Sequence, residues 1–178
     1  MKLTHKIVGL TAAAALVAGV GLAAAPAATS ATPSKAATGT TLISFKKELA
    51  PIAAGITAVD PAKKTGNRLS FPVVDVTRNV IGHSGGITIG GVTVSNPKIT
   101  IDAKAKTASV TVDSPLGVIE LFTVKHLKPY NKAKAIVRQG DLHLTSNQQI
   151  VDTLNTLVGQ AVFTADMGLG QIRITANK

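Results

Sequence analysis

The stretch Ile87-Thr88-Ile89-Gly90-Gly91-Val92-Thr93-Val94 decides the fold class, because apolar and polar residues alternate on both sides of a pair of glycines. A period of two is typical of a β-strand with one buried face, and two glycines between such strands predict a tight hairpin. Across this turn residue 89 faces residue 92 and residue 87 faces residue 94. The four aliphatic side chains therefore share one face, which we expect to lie in the core.

The same period continues along the chain. After a predicted break at Ser95-Asn96-Pro97, residues 98–101 and 108–112 form a second hairpin, and residues 69–76, 117–124, 135–138 and 171–176 read as further strands. This spacing predicts a mainly β domain, an antiparallel β-sandwich or barrel. The predicted core comprises Phe71, Val73, Ile87, Ile89, Val92, Val94, Ile99, Ile101, Val110, Val112, Ile119, Leu121, Leu154 and Ile172.

Two segments depart from the strand pattern. In the second half of the chain Ser146 and Gln149 have the spacing of a capping box, apolar residues at helical spacing follow over 150–158, and Gly159 supplies the stop. We expect one α-helix there. Residues 44–56 contain Pro51 and read as a strand that leads into a turn or a short helix.

The first quarter of the chain is biased in composition. Lys2 and Lys6 precede an uncharged apolar run over 7–25, which ends at Ala25-Pro26-Ala27. This order predicts a secretory signal peptide over 1–27, with a retained membrane anchor as the alternative. A flexible spacer rich in Ala, Thr, Ser and Pro is expected over 28–41, and a single β-rich domain over 42–178. The protein is therefore expected to be secreted, or associated with the cell wall.

Composition excludes several kinds of site. The chain of 178 residues has no cysteine, so disulfides, thiolate metal sites and thiol catalysis are absent. It carries 19 Lys and Arg against 9 Asp and Glu, a formal charge of +10. With one Tyr, four Phe and no Trp, it has few aromatic side chains.

The segment Gly82-His83-Ser84-Gly85-Gly86 fits the G-x-S-x-G pattern of hydrolase nucleophile elbows. A strand pair follows it, however, where that chemistry needs a helix, so we interpret the segment as a glycine-rich turn and expect no catalytic residue. His83 is either a ligand-binding residue or a turn histidine bonded to the backbone. His126 and His143 lack metal-ligand spacing, and we expect no metal site.

A run of basic residues without any acidic residue follows residue 124. It comprises Lys125, Lys128, Lys132, Lys134 and Arg138. Such a run could bind an anionic cell-wall polymer, or it could be a solvated edge that prevents aggregation. Only Tyr130 in this run could stack on a base, so we do not expect nucleic acid as a partner.

Residues 69–73, 81–87 and 94–102 together resemble the HtaA-type domain of secreted actinobacterial proteins, and they look closest to its short exported relatives. Residues 44–47 are similar to the opening segment of that domain, and scattered matches after residue 144 are similar to the tail of those relatives. The resemblance implies a β-rich fold. In the haem-acquisition members it also implies haemin bound by a tyrosine of the opening segment, with support from the histidine of the Gly-His block.

His83 matches that histidine. Residues 45–49 contain no tyrosine, which leaves Tyr130 as the only tyrosine that could join a haem site. We therefore expect a non-catalytic binding or structural protein of HtaA-like type. The first alternative is a haem or porphyrin binder that uses His83 and Tyr130, and the second is an electrostatic binder of anionic wall polymer.

Overall fold

Eleven β-strands, two α-helices and one 3-10 turn make up the part of the chain that the computed structural model describes, residues 37–129 and 135–177. The strands are β1 (Thr38–Phe45), β2 (Ile56–Val59), β3 (Lys63–Thr65), β4 (Arg68–Thr77), β5 (Val80–His83), β6 (Gly86–Ile89), β7 (Val92–Asp102), β8 (Thr107–Ser114), β9 (Gly117–Pro129), β10 (Ile136–Leu144) and β11 (Gly168–Asn177). The helices are α1 (Ala50–Ala54), which follows the 3-10 turn Lys47–Leu49, and α2 (Gln148–Val158).

The strands close into an antiparallel barrel. Eight of them follow one another in the order β7, β5, β4, β1, β11, β10, β9 and β8, and pairing of β8 with β7 completes the circle. β6 pairs with the first part of β7 and carries β2 on its other edge, and β3 pairs with β4. The prediction of a mainly β antiparallel domain is confirmed, in its barrel form.

The hairpin of β6 and β7 has the predicted register. Ile87 pairs with Val94 and Ile89 with Val92 around a turn in which both glycines have positive φ, 55° at Gly90 and 82° at Gly91. Positive φ at both central residues is the requirement of a type I′ hairpin turn. A β-carbon on Gly90 would lie 2.3 Å from the carbonyl oxygen of Leu157, so this glycine also lets α2 approach the hairpin.

The predicted break after Val94 is wrong. β7 continues to Asp102, and its register with β8 shifts between Ser95 and Lys98. Asn96 adopts a φ of 49° at this bulge, a backbone conformation that asparagine tolerates better than most residues. Because a bulge leaves ladder positions unpaired, it also accommodates Pro97, which has no N–H to donate.

The aliphatic faces of the strands form the barrel interior. Twelve of the fourteen predicted core residues are buried, while Val92 and Ile119 are partly exposed. β9 and β10 are longer than predicted, and β10 adds Leu142 and Leu144 to the core. The alternation therefore identified the inward face of most strands, and pairing across the barrel extended their ends.

Helix α2 ends at the predicted stop but begins with a different cap. The Asn147 side chain, rather than that of Ser146, accepts hydrogen bonds from the backbone N–H groups of Gln149 and Ile150. Gly159 ends the helix with a φ of 71°. The helix buries Val151 and Leu154.

The domain begins earlier than predicted. Thr38, which falls in the expected spacer, opens β1 and pairs with Asn177, and residues 39–41 continue this ladder against β11. These backbone groups are satisfied by strand pairing, so residues 38–41 belong to the domain. The expected signal peptide and residues 28–36 lie outside the described residues. Within the described ranges no helix is long and apolar enough to cross a bilayer.

Candidate functional site

His83 lies at the end of β5 and points into the barrel, where only 4% of its surface is exposed. Its Nδ1 lies 3.0 Å from the carbonyl oxygen of Pro97 on β7, and its Nε2 lies 2.7 Å from the Thr41 Oγ1 on β1. A carbonyl can only accept, so Nδ1 carries the proton and Nε2 accepts from the Thr41 hydroxyl. The imidazole thus links three strands of the barrel.

The surroundings of His83 favour its neutral form. Burial lowers the pKa of the imidazole below its usual 6.5, and the hydrogen bond to the Pro97 carbonyl opposes this only in part. Aliphatic and phenylalanine side chains such as Ile43, Phe71 and Phe122 line the same interior. The result is a satisfied polar group in an apolar core.

The interior beside His83 has little free space. The cavity there measures about 20 Å³, which is enough for about one water molecule. A haem iron needs a free nitrogen lone pair, and both ring nitrogens of His83 are already hydrogen-bonded. In this arrangement His83 therefore does not offer a haem ligand. Tyr130, the other residue expected at a haem site, lies outside the described residues.

The predicted turn over the Gly-His-Ser-Gly-Gly segment is wrong: Gly82 and His83 end β5, Gly86 begins β6, and both strands pair with β7 in the same direction, so the chain does not reverse here. Ser84 and Gly85 join β5 to β6, and no helix follows. A β-carbon on Gly85 would lie 2.5 Å from the backbone nitrogen of Ala62, so glycine is required for the β2–β3 connection to pack here. A strand after Ser84 provides no helix N-terminus for an oxyanion, and the adjacent imidazole is engaged by Thr41 and Pro97.

The other two histidines on the strands have acidic or backbone partners. His126 Nδ1 lies 2.8 Å from Asp141 Oδ2, and His143 Nδ1 lies 2.9 Å from the Asp166 carbonyl oxygen. No group of three potential metal ligands occurs within residues 37–129 and 135–177.

The predicted basic run does not form one face. Lys125 makes an ion pair with Asp166, and the hydrogen bond from this lysine lowers the pKa of that carboxyl. Arg138 pairs across the ladder with the buried Ile174, so it lies on the inner face of the sheet. Lys128 is exposed on the outer face, and Lys132 and Lys134 lie outside the described residues.

A groove open to solvent runs beside α2, and we call it the α2 groove. It measures about 260 Å³, and aliphatic side chains of β6, β7, β9 and α2 line it together with the Pro115-Leu116 turn between β8 and β9. Ser114 and Thr153 are its only polar lining residues within the described chain. Leu116 is 83% exposed at its rim. The groove thus presents an apolar surface to solvent beside the barrel.

Solved structures with a similar fold include two from Corynebacterium glutamicum. The haem-binding protein HtaB matches with a TM-score of 0.56 at 17% sequence identity, over 80% of this chain and 93% of that one. The C-terminal domain of HtaA matches with a TM-score of 0.57 at 12% identity, over 80% of this chain and 97% of that one. The domain is HtaA-like in fold. No protein-family model matches the sequence, and no curated protein is significantly similar to it.

The HtaA-like domain brings together residues that the sequence did not connect. Thr41, the hydroxyl partner of His83, fell in the predicted spacer, and a lone threonine in a Thr-rich stretch gives no signal of its role. The α2 groove could have been suspected from the sequence, because Pro115-Leu116-Gly117 places a large apolar residue in a turn, where polar residues are usual.

Proposed function

We propose that this chain is an exported, non-catalytic binding protein, and that it holds a flat apolar ligand of the porphyrin class in the α2 groove. The observation that carries the proposal is the nearly uniform apolar lining of an open groove beside α2. Contiguous exposed apolar surface on a folded domain commonly marks a binding site. At about 260 Å³ the groove approaches the range of about 300–1,000 Å³ that ligand sites span.

The choice of porphyrin as the ligand class rests on the fold. HtaB, which has a similar fold, is a haem-binding protein. A porphyrin ring offers a broad apolar face, and the groove offers aliphatic side chains from two sides, those of α2 and those of the strands. Burial of such surface would supply most of the binding free energy.

The residues that line the groove suit the ring rather than the iron. The described lining residues include no His, Tyr, Cys or Met that could ligate iron, and His83 lies in the barrel interior with both nitrogens bonded. We therefore expect the protein to bind metal-free protoporphyrin IX about as well as haemin. This differs from a site centred on His83, which would require the metal.

The test is a titration of the purified protein with haemin and with protoporphyrin IX, followed by absorbance and fluorescence. Leu116→Gln removes an exposed apolar side chain from the groove rim, and we expect it to weaken both ligands about tenfold, as loss of most of a buried leucine contact implies. Val118→Gln is the matched control, since Val118 is 67% exposed on the same hairpin but does not line the groove.

Three results would contradict the proposal. The first is the absence of saturable binding of either ligand. The second is equal weakening by Leu116→Gln and Val118→Gln. The third is binding of haemin alone that disappears in a folded His83→Ala variant, which would move the site to the histidine.

A further inference from the structure

The outer face of the barrel carries cations in one transverse row that the linear sequence does not reveal. In an antiparallel ladder directly opposed residues share a face. Starting at β3, the ladder pairs are Lys63 with Ser70, Ser70 with Leu42, Leu42 with Arg173, Arg173 with Gln139, and Gln139 with Lys128. We call these six residues the cationic row.

The row lies on the outside of the barrel. On β1, β4 and β11 its members alternate with side chains of the barrel core, such as Ile43, Leu69 and Ile172. Lys63, Arg173 and Lys128 are exposed, and the other three members are partly exposed. With neighbouring strands about 4.8 Å apart, Arg173 lies about 14 Å across the sheet from Lys63 and about 10 Å from Lys128.

The row contains no acidic residue, and its two lysines are not neutralised. Neither Lys63 nor Lys128 makes an ion pair or a side-chain hydrogen bond with another residue of the described ranges. The neighbouring row on the same outer face, two residues further along β10, contains Asp141, but this carboxylate already accepts a hydrogen bond from His126. The lysine of that neighbouring row, Lys125, is paired with Asp166. Lys63 and Lys128 thus keep their positive charge without an acidic partner among the described residues.

We propose that the cationic row binds a linear anionic polymer that carries repeated phosphate or carboxylate groups and no bases. Cations spaced across several strands suit a chain with many charges better than a single small anion, because each contact releases counterions from the polymer. The row itself contains no aromatic side chain on which a base could stack, which disfavours a single-stranded nucleic acid. This surface shares no residue with the α2 groove, so failure of one proposal would not contradict the other.

The experiment measures binding of the full chain to end-labelled inorganic polyphosphate by fluorescence anisotropy over a series of salt concentrations. The double variant Lys63→Gln with Lys128→Gln removes both ends of the row and keeps Arg173. We expect its affinity at low salt to fall about fivefold to tenfold, and the slope of log affinity against log salt to fall by about 1.4, as two lost contacts to a single-stranded polyanion imply.

The matched control is Arg78→Gln with Lys98→Gln. It removes the same net charge from exposed positions outside the row, on the β4–β5 turn and on β7. We expect its affinity to stay within about twofold of that of the unmodified chain, because these substitutions change the net charge and the long-range electrostatic potential but remove no direct contact to the polymer. Unfolding temperatures of both variants confirm that the barrel is intact.

Equal weakening in the two double variants would overturn the proposal, since it would assign binding to net charge alone. Absence of polyphosphate binding by the unmodified chain would overturn it as well. If an oligothymidylate with the same number of charges binds more tightly than polyphosphate, the partner is a nucleic acid and the proposal of a base-free polymer is wrong. Loss of polyphosphate affinity in the Lys63→Gln, Lys128→Gln variant alone, with no preference for the oligonucleotide, supports binding of the polymer by the cationic row.

Discussion

Thr41→Val tests the hydrogen-bonded link through His83. Valine has nearly the shape of threonine, and Thr41 is 2% exposed, so the replacement removes the hydroxyl from a buried site without opening a large cavity. The Nε2 lone pair of His83 then loses the partner 2.7 Å away and stays buried. Leaving a buried polar atom unsatisfied costs about 1–3 kcal/mol. For a domain of this size that corresponds to a fall of roughly 3–12 °C in Tm.

The assay is urea unfolding followed by circular dichroism at pH 8, with a thermal scan in parallel. Thr40→Val is the control, because Thr40 is exposed on the same strand and we expect its replacement to change stability by less than about 0.5 kcal/mol. A Thr41→Val variant as stable as the Thr40→Val variant would refute the reasoning. It would mean that the Thr41 hydroxyl contributes nothing to satisfying the imidazole.

Three further predictions concern the His83 imidazole, the β6–β7 turn and the expected export signal. Because burial lowers the pKa of His83 below 6.5, the unfolded chain binds more protons just below that pH, and stability should fall with decreasing pH by up to about 1.4 kcal/mol per unit. In His83→Gln the free energy of unfolding, measured by urea denaturation, should depend less on pH in this range. Gly90→Ala should destabilise by about 1–3 kcal/mol more than Gly91→Ala, since both positions have positive φ but only Gly90 contacts Leu157; equal losses in denaturation would contradict the close approach of α2. N-terminal sequencing of exported protein should start at Ala28, and an intact Met1 would contradict cleavage.

The sequence by itself determined which face of most of the long strands is buried. In the β6–β7 hairpin the alternation of Ile87, Ile89 and Val94 with threonines fixed both the turn and the register, because a slip of one residue would turn every aliphatic side chain to solvent. The stop of α2 at Gly159 was equally readable, since glycine adopts a left-handed conformation without steric cost.

Only the tertiary structure decided how strands distant in sequence lie side by side. It placed Thr41 against His83, put Lys63, Arg173 and Lys128 in one row, and turned Arg138 to the inner face although it follows Lys128 in the same basic run. It also placed Leu116 at the rim of the α2 groove. The physical reason is that alternation fixes the face of a residue within its own strand, whereas barrel closure and bulges fix its neighbours across strands, and these depend on packing of the whole chain.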